Sequence, residues 1–240
     1  MIEAGPDITA RALEVIDRTE AHGVEARLLG GAGVAALLGE RCPPACRRVP
    51  GDIDLAAPSA RRKQLGELLE SAGLVPDRHF NALHGRERLA FAAPDGLKVD
   101  VILDVLRMCH VVQLAVGLRG PAPCLPAWLL LVTKLQIVEL TEKDRNDVAA
   151  MLVACSPEEL DFPAVARLCA EDWGLWRSLT GSLAEVVRQP PELVPAQRER
   201  LAENAAALAQ ALESQPKSRR WRMRARLGER VRWYELPESP

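Results

Sequence analysis

Apolar positions recur at helical spacing over residues 8–20, with Ile8, Leu13, Val15 and Ile16 on one side, which predicts an amphipathic helix. The period then changes. Residues 25–29 form a short strand-like run ending in Gly30-Gly31, and residues 34–38 open a second helix. The Pro- and Arg-rich stretch 40–51 predicts an exposed connection. Residues 52–56 read as the next strand, followed by a helix over about residues 60–72 with Ser59 as its cap. Beyond Gly73 the pattern turns to strands: 88–92 and 97–103 flank a Pro-Asp-Gly turn at 94–96, a β-hairpin pattern, and another strand is expected near 111–114. A Gly/Pro-rich boundary at 117–126 precedes a chain that is helical to its end, with helices over 127–140, 144–155 and about 196–213. The last of these carries an apolar stripe of Leu201, Ala205, Leu208 and Leu212.

Strands confined to the first half and helices filling the second imply an α+β protein. A small mixed β-sheet core with flanking helices is expected over residues 1–122, and a C-terminal helical domain with a basic tail over 123–240. At 48% hydrophobic and 27% charged residues the chain is neither disordered nor membrane-spanning, and its longest apolar runs are far too short to cross a bilayer. The polar, acidic start over residues 3–7 has no basic or apolar segment typical of a secretory signal, so a cytoplasmic location is expected.

The candidate chemistry begins at Gly51-Asp52-Ile53-Asp54-Leu55. In an extended strand Asp52 and Asp54 share one face while Ile53 and Leu55 point to the core. Two carboxylates held that close repel, and a hard divalent cation such as Mg²⁺ or Mn²⁺, bridging to substrate phosphates, relieves the repulsion. Two further elements sharpen this. Leu28-Leu29-Gly30-Gly31-Ala32-Gly33 joins a strand to a helix, where glycines admit close approach of a ligand and the first helical N–H groups attract phosphate. In residues 98–104, alternation buries Val99, Val101 and Leu103 and puts Asp100 on the opposite face, so a third carboxylate can come from a neighbouring strand; Asp104 serves equally well as the residue that ends it.

Gly-Gly, helix, Asp-x-Asp on a strand and a lone Asp on a later strand together resemble the nucleotidyltransferase superfamily with its polymerase-beta-like fold. The spacing is similar to the AbiEii-type branch, which includes MenT-type toxins. The residues that carry the resemblance are LLGGAGVAALLGERCPPACRRVPGDIDL and, later, LLLVTKLQIVELTEKDRNDVAAML, so it covers roughly residues 27–152. It implies that Asp52, Asp54 and Asp100 hold Mg²⁺ or Mn²⁺ and that Gly30, Gly31 and Lys134 grip the β- and γ-phosphates of a nucleoside triphosphate, with Asp100 completing a second metal site or taking the acceptor's proton. Arg48, with Arg47, stands just before Asp52 and is a further candidate for the phosphates. Lys134 emerges among Leu130, Leu131, Ile137 and Val138, so its ammonium needs an anionic partner, either the triphosphate or a salt bridge to Asp144 or Asp147. Asp147 resembles the acid that ends the last motif and equally suits holding Lys134. Ala32 stands where many relatives have a hydroxyl residue.

For the acceptor, the toxin-like branch implies tRNA or a protein, and an antitoxin as partner. The alternatives are a small molecule, as in antibiotic-modifying relatives, and a nucleotide-binding module of the same fold without turnover. Net charge is only −2, but residues 217–232 hold eight basic side chains and one acid, with Trp221 and Trp233 interleaved. That segment is read as a solvated arginine-rich helix, with a nucleic-acid backbone as the alternative partner. The six cysteines read as free thiols, since Cys42 and Cys46 have no second pair at zinc-ligand spacing. His22, His79, His84 and His110 are dispersed and read as surface or packing residues. Trp128, Trp173 and Trp176 read as core.

Overall fold

The computed structural model describes residues 7–235; all but Asp7 of the stretch read against a secretory signal lies outside them. The chain forms two compact units, residues 7–39, 48–106 and 113–126 in the first, and residues 40–47, 107–112 and 127–235 in the second.

In the first unit, α1 (Ile8–Ala21) starts at Asp7, whose carboxylate accepts the Thr9 and Ala10 N–H groups, and it buries Ala12, Ile16 and Thr19 along one face. β1 (Arg27–Leu29) runs directly into α2 (Gly30–Leu38); β2 (Ile53–Ala57), α3 (Arg62–Ser71), β3 (Val75–Pro76), α4 (Arg78–His84), β4 (Arg88–Ala92) and β5 (Lys98–Leu103) follow. One five-stranded sheet results, in the order β1-β2-β5-β4-β3. Its central pair β2–β5 is parallel and the other pairs are antiparallel, so the sheet is mixed, as expected. Ile53, Leu55, Val99, Val101 and Leu103 are buried, as the period of two predicts. The open edge of β1 is covered by the chain at 123–125: the Leu28 N–H donates to the Pro123 carbonyl, and the Leu125 N–H donates to that of Leu28. A two-stranded ribbon pairs β6 (Val105–Arg107) with β7 (Val111–Gln113), and α5 (Ala115–Leu118) packs on β2.

The second unit is helical: α6 (Ala127–Leu135), α7 (Glu142–Ala154), α8 (Pro157–Leu160), α9 (Phe162–Glu171), α10 (Trp173–Arg188), α11 (Pro195–Ser214) and α12 (Arg219–Leu227). α11 packs on α7, α9 and α10 and buries the expected stripe of Leu201, Ala205, Leu208 and Leu212. No helix among the described residues is long and apolar enough to cross a membrane.

Three local expectations are corrected. Ser59 does not cap α3, which begins at Arg62 after a short 3-10 turn; the Ser59 N–H instead donates to Asp104 Oδ1. The stretch after α2 is not simply exposed, because Pro44–Cys46 turns against α7 and buries Cys46, while Arg41 pairs with Glu159 at 3.0 Å. The helix expected over 127–140 stops at Leu135. Tertiary partners claim the groups beyond it: the Gln136 side chain accepts the His110 N–H, and the Ile137 carbonyl accepts the Ser182 hydroxyl.

Candidate active site

The turn from β1 into α2 sets the geometry. Gly30 has φ +63°, a left-handed conformation that a side chain disfavours, and a Cβ there would collide with the Asp54 carboxylate. One on Gly31 would collide with the Arg48 guanidinium. The Gly-Gly step therefore lets an acid from β2 and a base from the preceding loop approach the first turn of a helix. The first N–H groups of that turn have no partner within the helix, and Leu29 before it provides no side-chain cap.

The sheet register adds a second acid. Asp54 and Asp100 are Cα partners across the parallel β2–β5 pair, so they sit side by side on one face, with strands about 4.8 Å apart. At this end the face is only partly covered, whereas Ala56 and Ile102, two residues on, are buried. Asp52 stands apart. The strand begins at Ile53, after the bend at Gly51-Asp52, so the alternation that was to align Asp52 with Asp54 does not reach it, and its side chain is exposed. Two of the three expected carboxylates are thus immediate neighbours. Among the described residues no three His, Cys, Asp or Glu side chains gather in a metal-holding group.

The pair nevertheless fits a magnesium-like ion. Such an ion takes hard oxygen donors, keeps several waters and is commonly held by one or two protein carboxylates together with substrate phosphates. Asp54 and Asp100 supply the carboxylates, and the glycine turn, lacking side chains of its own, lets the Asp54 carboxylate and the Arg48 guanidinium lie close against it.

One residue at this site was not singled out from sequence. Arg88 begins β4 and is the Cα partner of Ile102, while Ala90 is the partner of Asp100, so Arg88 is a diagonal neighbour of Asp100 on the same face. Its Nη2 lies 2.7 Å from Asp100 Oδ2, and its guanidinium lies over the Phe80 ring, 5.7 Å from the centroid. Phe80 is held in place because Asn81, its neighbour on α4, makes two hydrogen bonds to the backbone of Ala90. Alternation within 88–92 would have put Arg88 on the polar face; its partner depends on the strand register. Asp104, by contrast, ends β5 and caps the turn at Ser59.

In the second unit, Lys134 is buried with its Nζ 3.1 Å from Asp144 Oδ1 and 2.9 Å from Asp147 Oδ2. Burial pulls the lysine pKa down, but the charges and hydrogen bonds of Asp147 and Asp144 outweigh it and hold the value above the ordinary one. Burial likewise opposes ionisation of Asp144, yet Lys134 and the Thr141 hydroxyl keep its pKa below the usual carboxylate value. The salt bridge weighed for Lys134 is therefore formed, to both acids at once.

All six thiols are free. Burial pushes Cys46 and Cys169 up to about 12 and Cys124 up to about 11, so these are protonated packing residues at neutral pH. His110 is also buried, donates or accepts at Ser178 Oγ 2.8 Å away, and has its pKa lowered by burial.

No family model matches the chain, and no curated protein sequence does. Solved structures that are similar to it in shape include the following two. One is a crystal structure of the lincosamide antibiotic adenylyltransferase LnuA bound to lincomycin, with 19% identity and a TM-score of 0.45, covering 60% of this chain and 97% of that one. The other is a solution structure of the antibiotic-resistance factor ANT(2'')-Ia, with 15% identity and a TM-score of 0.45, covering 68% of this chain and 95% of that one.

Proposed function

We propose that the protein transfers a nucleoside monophosphate from a nucleoside triphosphate to the hydroxyl of a small acceptor, with Mg²⁺ or Mn²⁺ held at Asp54 and Asp100. The observation that carries this reading is the register Asp54↔Asp100 beside the glycine turn that opens α2. A divalent cation bound there would neutralise charge on the attacked phosphate and on the departing pyrophosphate. The N–H groups of the first turn of α2 and the Arg48 guanidinium receive the phosphates, and Gly30 and Gly31 keep side chains out of their way. The acceptor oxygen attacks the α-phosphorus, the bond from that phosphorus to the bridging oxygen breaks, and pyrophosphate leaves. Asp52, exposed just before the strand, would take the acceptor proton. Lys134 and Asp147 are given no part in this step, since they are engaged with each other in an ion-paired cluster of the second unit.

A small acceptor is favoured by what the basic segment does. Its interleaved indoles pack edge-on within the second unit, Trp221 on Trp176 at 5.3 Å and Trp233 on Trp173 at 6.2 Å. Lys217 donates to the Gln215 carbonyl, and Arg224 donates to the Gly228 and Val231 carbonyls and lies over Trp173. Both indoles and two of the eight cations are thus engaged within the unit, which supports the smaller acceptor, while Arg219, Arg220, Arg222, Arg226, Arg230 and Arg232 are exposed.

The test is label transfer. Native protein and Asp54→Asn are incubated with labelled nucleoside triphosphates, Mg²⁺ and, separately, a panel of hydroxylated antibiotics, cell RNA and cell protein. Label should enter a small molecule with native protein and fall more than about 100-fold in the variant. Label in RNA or protein would instead place the chain with the AbiEii/MenT-type branch and its antitoxin partners. Triphosphate binding with no transfer to any fraction would make it a non-catalytic nucleotide-binding module.

A further inference from the structure

We propose that Arg88 is a built-in competitor for the cation: it holds Asp100 until a divalent ion and a triphosphate arrive together, and so couples their binding. The inference rests on the cation-dependent reading of Asp54 and Asp100 given above. Its own basis is separate. Arg88 Nη2 lies 2.7 Å from Asp100 Oδ2, and the arginine side chain is 49% exposed while that of Asp100 is only 16% exposed. The carboxylate is therefore fixed and mostly covered, whereas the guanidinium is reachable from solvent and can swing away at modest cost. Its aromatic neighbour Phe80 and the two Asn81–Ala90 hydrogen bonds hold the local backbone whether or not the pair is closed.

The charges explain the coupling. With Arg88 on Asp100, the two adjacent carboxylates attract a divalent cation less strongly than they would without that arginine, because the ion must displace or tolerate its positive charge a few ångströms away. A triphosphate changes the balance: its oxygens complete the ion's coordination and also offer the displaced guanidinium a bidentate anionic partner. Cation and nucleotide then each favour the other's binding by the same factor, as linkage requires. Arg88 is a positioning residue in this scheme, acting through Asp100.

The experiment titrates Mn²⁺ into intact protein and follows free Mn²⁺ by electron paramagnetic resonance, with and without a non-hydrolysable triphosphate. Native protein is compared with Arg88→Gln, Arg88→Lys, Asp54→Asn and Asp100→Asn, and circular dichroism checks each fold. Without nucleotide, Arg88→Gln should bind Mn²⁺ roughly three- to tenfold more tightly than native protein, and the extra tightening conferred by the triphosphate should shrink by a similar factor. Arg88→Lys, which keeps the charge, should return both quantities close to native values. A merely structural arginine would give the opposite sign, so equal or weaker Mn²⁺ binding by folded Arg88→Gln overturns the inference while leaving the carboxylate site in place. Native Mn²⁺ binding that survives both Asp54→Asn and Asp100→Asn overturns the underlying functional reading, and the role of Arg88 with it.

Discussion

Two clusters in this molecule have the same parts, a cation beside carboxylates, and put them to different use. Around Lys134 the parts are largely covered: side-chain exposures of 11%, 14% and 5% for Lys134, Asp144 and Asp147 leave the ammonium between the two acids. Around Asp100 the acid is covered but its arginine is half in water, and a second carboxylate, Asp54, stands beside it in register. A buried, closed cluster cannot exchange partners without unfolding its surroundings, so it serves as a clamp. An open one with a half-exposed counter-charge can give up that charge to a ligand.

The largest effect should come from breaking the clamp. Lys134→Met leaves two buried carboxylates facing each other, and urea denaturation should show a loss of about 3–5 kcal/mol, with Asp147→Asn milder because one acid still pairs the lysine. A loss below roughly 1 kcal/mol would mean that the cluster is hydrated and not a clamp.

Titration is a gentler way to the same end. The Asp144 pKa is lowered in the folded protein, so the stability it contributes is present above its unfolded value near 3.8 and is lost as pH falls through the lower folded one. The Lys134 pKa is raised, so its contribution is complete below 10.5 and is lost as pH rises through the higher folded value. Between those limits the clamp should be insensitive to pH. Across that range the native urea midpoint should carry no contribution from titration of this cluster, whereas Lys134→Met, whose facing carboxylates repel, should regain stability as the pH is lowered and one of them takes up a proton.

Smaller again is the turn at the open cluster. Gly30→Ala forces a side chain into left-handed backbone and against the Asp54 carboxylate, at a cost of about 1–2 kcal/mol in stability. It should also weaken Mn²⁺ binding, because the displaced carboxylate is one of the two proposed to hold the ion. Gly31→Ala meets only the end of the flexible Arg48 side chain and should be better tolerated. The smallest effect on stability belongs to Arg88→Gln: with the guanidinium half exposed, thermal unfolding should move by less than about 1 kcal/mol, in contrast to Lys134→Met.

The contrast also shows what a sequence can disclose. Period-two runs gave the strand 88–92 to the residue and the strand ending at Leu103 to within one, and the order Gly-Gly, Asp-x-Asp, Asp pointed to the turn and to the two acids now seen side by side. What alternation cannot give is which strand lies next to which, and that is why Arg88 escaped notice: nothing local marks it as the partner of an acid twelve residues away across the hairpin. At Asp52 the period-two rule runs one residue past the strand, which begins at Ile53 after the bend at Gly51-Asp52. The helix α4 was missed because RHFNALH is too short to show a period, and its start depends on a cap, the Asp77 carboxylate accepting the Phe80 N–H. At Lys134 the need for an anionic partner was legible from its apolar neighbours, while the choice between triphosphate and carboxylates required the fold of α7.

The central claim is that the open carboxylate pair, and not the pair around Lys134, is where a nucleotide and its cation meet. A crystal soaked with Mn²⁺ and a non-hydrolysable triphosphate tests it directly. An anomalous Mn²⁺ peak bonded to carboxylate oxygens of both Asp54 and Asp100, with triphosphate oxygens at the first turn of α2, is the predicted result. A triphosphate bound at Lys134 after its ion pairs open, or a Mn²⁺ site that includes neither Asp54 nor Asp100, would contradict it.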